Sequence, residues 1–193
     1  MLRGAGAMLF GRGQADGVID QVSKTPLRIE QYTLSGSIGS DDYREPTADL
    51  NKPLGGTALR VNLMQRDKGS WRSNPATGSE PDLHRKGIGL SLALNQDGNS
   101  RFWLDHYWLK NDDNPDYGIS FDSATRRPNT RFAAETFLGT DATFDQSETQ
   151  ISTLVHEYRI SPTTQWRHAD YERSYWARTP SPTIAPNAQA TRP

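Results

Sequence analysis

The feature that most constrains this chain is a period-two alternation of apolar and polar residues that returns in one segment after another. Leu59, Val61 and Leu63 alternate with Arg60, Asn62, Met64 and Arg66, and Ile88, Leu90, Leu92 and Leu94 alternate with Gly87, Gly89, Ser91 and Ala93. Successive side chains of a β-strand point to opposite faces, so each run puts its leucines on one face and its polar or small residues on the other. Tyr32, Leu34, Gly36 and Ile38 repeat the pattern against Thr33, Ser35 and Ser37. Weaker strands are expected at Asp42–Asp49, where Pro46 removes one ladder donor, and at Arg101–Lys110, Thr149–Tyr158 and Thr164–Arg178. The fold class this predicts is all-β, with about seven strands and no helical segment.

The connections carry as much information as the strands. Asn51–Gly56, Asn95–Asn99 with Asp97-Gly98 at its centre, and Ile160–Thr163 read as short turns, whereas Asp67–Lys86 and Asn111–Gln146 read as long polar loops. After a first short link at Gly39, long and short connections alternate, as in an antiparallel meander whose long loops share one end. Loops of that length are uncommon inside a compact soluble domain. They are expected on the extracellular side of an outer-membrane barrel, where the opposite turns stay short.

Composition narrows the classes further. The formal net charge is -1 and no basic stretch stands out, so nucleic acid is not expected as a partner. No apolar run approaches the roughly 18 residues of a spanning helix. That leaves a transmembrane barrel open, because only alternate residues of its strands meet lipid. The chain has no cysteine, which removes disulfides, thiolate metal sites and cysteine nucleophiles together. In Arg101–Lys110 the pairs Phe102-Trp103 and Tyr107-Trp108 are spaced to mark the two rims of an apolar band.

Catalytic and metal signals are weak. His84, His106, His156 and His168 lack ligand spacing, and the acidic run Asn111–Asp116 lacks the glycine and bidentate glutamate of a calcium loop and reads as solvated loop. No nucleophile elbow is present, so neither enzyme activity, a metal site nor a cofactor is expected.

Met1–Pro26 departs from the alternation. Gly4, Gly6, Gly11, Gly13 and Gly17 interrupt the short apolar runs Ala7–Phe10 and Val18-Ile19. A phosphate loop would need Gly-Lys-Ser/Thr at a helix start, and a signal peptide would need an unbroken apolar core with a cleavage site; neither is present. The run Leu2-Arg3-Gly4, Leu9-Phe10-Gly11, Gly13, Gly17-Val18-Ile19 and Val22–Pro26 resembles, in order and spacing, the signature that closes the plug domain of TonB-dependent outer-membrane siderophore receptors. Ala5, Asp16 and Asp20 depart from that signature, standing where Pro, Gly and Asn are common.

The resemblance implies a division into the C-terminal part of a plug domain, residues 1–26, and the N-terminal portion of a β-barrel, residues 27–193. It implies an antiparallel meander forming part of a transmembrane barrel of about 22 strands in the full-length family. Seven strands cannot close such a barrel, so the chain is expected to be an internal stretch of a longer receptor and not competent for transport alone. The implied function is uptake of ferric siderophores across the bacterial outer membrane. The implied partners are the chelate, the TonB complex and outer-membrane lipid; the iron arrives already coordinated. Candidate ligand contacts are Phe10 and Arg12 at a plug apex, and Trp71, Arg72, Tyr117, Arg126 and Arg127 in the long loops. The alternative is a surface or secreted all-β binding or adhesion domain without a channel.

Overall fold

A computed structural model of the chain describes residues 23–119 and 121–179. Phe10 and Arg12 lie outside these residues, as does nearly all of the plug-like segment. The described residues contain no helix. The strands are β1 (Gln31–Ile38), β2 (Arg44–Leu54), β3 (Thr57–Lys68), β4 (Asp82–Leu94), β5 (Ser100–Asn114), β6 (Phe121–Asp122), β7 (Arg127–Pro128), β8 (Asp145–Ser161) and β9 (Thr164–Arg178). Seven of them form one antiparallel sheet in the order β1-β2-β3-β4-β5-β8-β9, and β6 and β7 make a small hairpin of their own. Chain order equals spatial order, so the sheet is a pure meander.

Three sequence expectations need correction at their edges. The Asn51–Gly56 turn shrinks to Gly55-Gly56, because β2 runs on through Leu54; Gly55 takes φ 66° there, a conformation glycine adopts without cost. The loops at 67–86 and 111–146 shorten to 69–81 and 115–144, because polar residues such as Arg85, Asp112 and Asp113 continue the strands beyond the apolar stretch. The acidic run is therefore mostly strand: Asp113 pairs with Arg85 at 2.9 Å and Asp112 accepts a hydrogen bond from Gln146 at 2.9 Å. At Asn95–Asn99 the left-handed residue is Asn95, φ 54°, and the Asn95 carbonyl accepts from the Gly98 amide. The turn thus begins at Asn95 instead of centring on Asp97-Gly98.

The β1–β2 connection is tighter than its sequence suggests. Asp41 and Asp42 both have positive φ, 58° and 54°, and the Tyr43 amide donates to the Ser40 carbonyl, the pattern of a two-residue mirror-image turn that normally selects Asn-Gly. Asp42→Gly is expected to stabilise this hairpin by about 0.5–1 kcal/mol by removing the left-handed penalty on a side chain. A chemical denaturation midpoint that rises relative to wild type is the check.

From β1 to β5 the register sorts residues by face, whereas β8 and β9 bring Ser152, His168, Asp170 and Glu172 onto the same face as the leucines. Leu59, Leu92, Leu104 and Leu154 are neighbours across β3, β4, β5 and β8, as are Leu63, Ile88 and Trp108 across β3, β4 and β5. Leu34, Leu59, Leu63, Ile88, Leu90, Leu104 and Leu154 are all exposed on this one face. On the other face stand Asn51, Arg60, Ser91 and Asp105 in one row and Asp49, Asn62, Gly89 and Tyr107 in the next. Buried apolar side chains among the described residues are few: Ala58, Ala93, Phe137, Val155 and two prolines, Pro26 and Pro81. A soluble domain of this size buries a large fraction of its surface around an apolar core. Here the large hydrophobics line an open face, the arrangement that marks contact with lipid or another apolar partner.

The aromatic rims take a different form from the one expected. Adjacent residues point to opposite faces, so Phe102 and Trp108 share the leucine face while Trp103 and Tyr107 face the other way. The short-turn rim is built instead across strands. Phe102 stacks on His156 at 4.2 Å, His156 meets Trp166 edge-on at 5.4 Å, and Trp166 stacks on His168 at 5.7 Å, with Tyr158 opposite Trp166. At the long-loop end, Trp108 and Trp176 lie on the same face. Trp166 and Trp176 are separated by about 33 Å along β9. At a strand tilt of about 40° that is a height of about 25 Å, which matches the thickness of an outer-membrane apolar band. On β9 itself His168, Asp170, Glu172 and Ser174 lie between the two rings on that face, so the apolar part of the face is carried by β3, β4 and β5.

Candidate functional site

The short turns Gly55-Gly56, 95–99 and Pro162-Thr163 lie at one end of the sheet, and the loops 69–81 and 115–144 lie at the other with the β1–β2 turn. At that second end the two long loops are not independent. Ser73 and Thr136 form a parallel bridge, the Ser73 amide donates to the Glu135 carbonyl at 3.0 Å, and the Phe137 amide donates to the Ser73 carbonyl at 2.9 Å. Asn74 adds a hydrogen bond from its side-chain nitrogen to the Gly139 carbonyl at 2.7 Å, while its oxygen accepts from the Ala76 amide. The Phe137 ring is 1 % exposed beneath this junction. Gly139 is required where it stands, since a Cβ there would collide with the Phe137 ring. The loops thus form one ledge with a small core of its own.

Three of the residues expected from sequence meet on this ledge. Arg72 donates to the Asp116 carboxylate at 3.0 Å and its guanidinium lies 4.8 Å from the centre of the Trp71 ring. Tyr117 follows Asp116 directly and is 64 % exposed, and Asp116 is itself fixed by the Gly118 amide at 2.7 Å. A guanidinium against an indole, with an exposed phenol next in sequence to its carboxylate partner, offers cation, ring face and hydroxyl donor to an anionic aromatic ligand. Arg126 and Arg127 go elsewhere, into the β6–β7 hairpin, where Arg126 occupies the turn with φ 53°. That turn is closed by Asp122, whose carboxylate accepts from the Thr125 and Ala124 amides and is held by them below the usual carboxylate range. No hydrogen bond or ion pair among the described residues joins Arg126 or Arg127 to Trp71, Arg72 or Tyr117.

Two further arginines were not singled out by sequence. Arg66 and Arg85 sit directly opposite each other on the polar face at the ledge end of β3 and β4. Each spends one nitrogen on a carboxylate, Arg66 on Glu45 at 2.8 Å and Arg85 on Asp113 at 2.9 Å. The Nε atoms of Arg66, Arg72 and Arg85 have no partner among the described residues. Like charges placed directly across a strand pair repel, so a ligand anion between them would be favourable. Face parity could have found Arg66, which alternates with the Leu59–Leu63 set; Arg85 was hidden by a loop boundary drawn too late.

No protein-family model matches the chain. Known proteins nevertheless resemble it along nearly its full length. The catecholate siderophore receptor Fiu of Escherichia coli is 26% identical over 190 residues, covering 92% of this chain and 24% of the receptor. The probable TonB-dependent siderophore receptor PiuA of Acinetobacter baumannii is 30% identical over 167 residues, 82% of this chain and 22% of the receptor. Among solved structures, the closed form of the Escherichia coli ferric-catecholate import receptor Fiu superposes with a TM-score of 0.77 at 26% identity, over 91% of this chain and 26% of that one. The open form gives 0.78 at 25% identity. The chain therefore spans about a quarter of the length of the relatives it matches, and within that span its meander follows the wall of their barrels. Along nearly its whole length the chain is similar to one stretch of the TonB-dependent siderophore receptors.

Proposed function

We propose that this chain is the part of an outer-membrane receptor that holds a ferric siderophore at the cell surface and contributes one side of the barrel wall through which it is taken up. The observation that carries the reading is the docked ledge: two long loops fastened to each other present Trp71, Arg72 and Tyr117 at the same end as the inward arginines Arg66 and Arg85. The relatives are transport receptors, and the reading assigns this chain transport and no catalysis. The iron is cargo held by its chelator, so the wall supplies rings, hydroxyls and cations and no metal ligands. Uptake would draw on the TonB complex, with outer-membrane lipid around the leucine face and no nucleic acid involved. Residues 1–26 are assigned to the end of the plug and 27–193 to the barrel, in keeping with a first strand that begins at Gln31.

The test is uptake of radio-iron as ferric catecholate by receptor-deficient bacteria carrying the complete gene that includes this chain. Arg72→Gln and Trp71→Ala are each expected to raise the half-saturating chelate concentration about tenfold, the effect of losing about 1.4 kcal/mol of binding. Uptake that needs neither the gene nor TonB would overturn the transport reading. Uptake unchanged in both variants would overturn the ledge as its binding site.

A further inference from the structure

The densest polar network in the described residues lies away from the ledge, where the chain enters the sheet. Asn51 on β2 is 1 % exposed, and its side chain is used completely on the passing backbone. Its oxygen accepts from the Leu27 amide at 2.8 Å, and its nitrogen donates to the Leu27 carbonyl at 3.0 Å and the Ile29 carbonyl at 2.5 Å. Its direct neighbour on β3, Arg60, is 9 % exposed. Arg60 grips Asp49 with two nitrogens, each at 2.8 Å, and donates a third hydrogen bond to the Thr25 carbonyl at 2.8 Å. Lys24 closes on the same Asp49 at 2.7 Å. Further along, Arg28 reaches the 95–99 turn, donating to Asp97 at 2.7 Å and to the Gln96 carbonyl at 2.5 Å, and Glu30 pairs with Lys52 at 3.1 Å. The buried Pro26 lies in the middle of this stretch.

Six of these seven consecutive residues, all but Pro26, are thus fastened to three separate elements, and the fasteners differ in strength. Arg28–Asp97 and Lys52–Glu30 are exposed pairs, which contribute little. Asn51 is buried and makes all its hydrogen bonds to the passing backbone, and Arg60 keeps its pair with Asp49 but donates one further bond to Thr25, so lifting the strap would strand the Asn51 amide and one Arg60 nitrogen. The cost of release is therefore concentrated at two side chains.

We propose that Lys24–Glu30 is a fixed strap, with Asn51 and Arg60 as its clamps, and that any displacement of the segment before it ends at Lys24. The proposal rests on the transport reading only for its purpose, since that segment is the one a periplasmic pull would move. It gives the moving part a defined end and keeps the force off β1, which follows the strap directly.

The complete receptor that includes this chain, folded in detergent micelles with a pulling handle at position 1, provides the test. Trypsin cleavage after Arg28 is expected to be at least tenfold slower than after Arg126 in the exposed β6–β7 turn, and Asn51→Ala or Arg60→Gln is expected to remove most of that difference. Pulling from Met1 against a tether at the C-terminus is expected to extend the chain by at most about 80 Å, the reach of the residues before Lys24, and then to stall. Asn51→Ala is expected to shorten or abolish the stall. Arg28 cut as fast as Arg126 in wild type, or extension through Glu30 without a stall, overturns the strap. If Asn51→Ala prevents folding, Arg60→Gln and the wild-type comparison still decide. Loss of ferric chelate uptake has no bearing on either readout, so failure of the transport reading and failure of the strap are separable.

Discussion

Leu90→Arg is expected to cost about 2–4 kcal/mol of folding free energy when the complete receptor that includes this chain is folded into phospholipid vesicles, the penalty of a guanidinium on the lipid face near mid-depth. Leu90 is 41 % exposed, lies between Val61 and His106 on the leucine face, and stands between the two aromatic rims. Along β3 and β4 its neighbours on that face are aliphatic, and the nearest carboxylate in its row is Glu172, three strands away on β9. Were this face covered by water, the same change would leave stability nearly untouched and would improve solubility, because an exposed leucine contributes little. Urea titration followed by tryptophan fluorescence distinguishes the two outcomes, and their difference in sign makes the result hard to misread.

Phe137→Ala is the second change with a large expected effect, and it acts on a different part of the molecule. Phe137 is the one large apolar side chain that is fully buried among the described residues, and it sits under the junction of the two long loops. Truncating a buried phenylalanine costs about 3–5 kcal/mol. The ledge is joined otherwise by a few loop hydrogen bonds, so a loss of this size is enough to open it locally while the sheet, with its own ladder, remains folded. Amide exchange is expected to speed up at Ser73 and Phe137 and to stay slow along β4 and β5. Ferric chelate affinity should fall with the ledge, by more than the loss at Arg72 alone, because Trp71, Arg72 and Tyr117 would lose their common support. Slow exchange at Ser73 in the variant would mean that the loops are held by something other than this ring.

The sheet was legible in the sequence because the face-alternating pattern and the turn residues agree from Tyr32 to Leu94. Strand ends were not, since polar strands leave no alternation to follow once both faces are wet: Arg85, Asp112 and Asp113 read as loop and are strand. The rim at the short turns was misplaced for the opposite reason. Adjacent aromatics in β5 looked like one cluster, whereas the rim is assembled from Phe102, His156, Tyr158, Trp166 and His168 on three strands, a relation that only register reveals. Of the candidate ligand residues, Trp71, Arg72 and Tyr117 converge because Asp116 returns to Arg72 from a loop 44 residues away, which no local pattern encodes. Asn51 was read as a turn residue, and its actual work on the backbone of Leu27 and Ile29 likewise depends on a neighbour distant in sequence.

The central claim is that this meander is a stretch of membrane barrel wall with its leucines outward. This stretch contains no cysteine, so the direct measurement uses single cysteines placed in turn at positions 59 to 63 and spin-labelled in the complete receptor folded in lipid vesicles. Collision with dissolved oxygen, which concentrates in the bilayer, is expected to be high at Leu59, Val61 and Leu63 and low at Arg60 and Asn62, with the opposite order for a water-soluble nickel chelate wherever the wall face is wet. Equal access of the nickel chelate to Leu59, Val61 and Leu63 would contradict the account and leave a water-exposed sheet in its place.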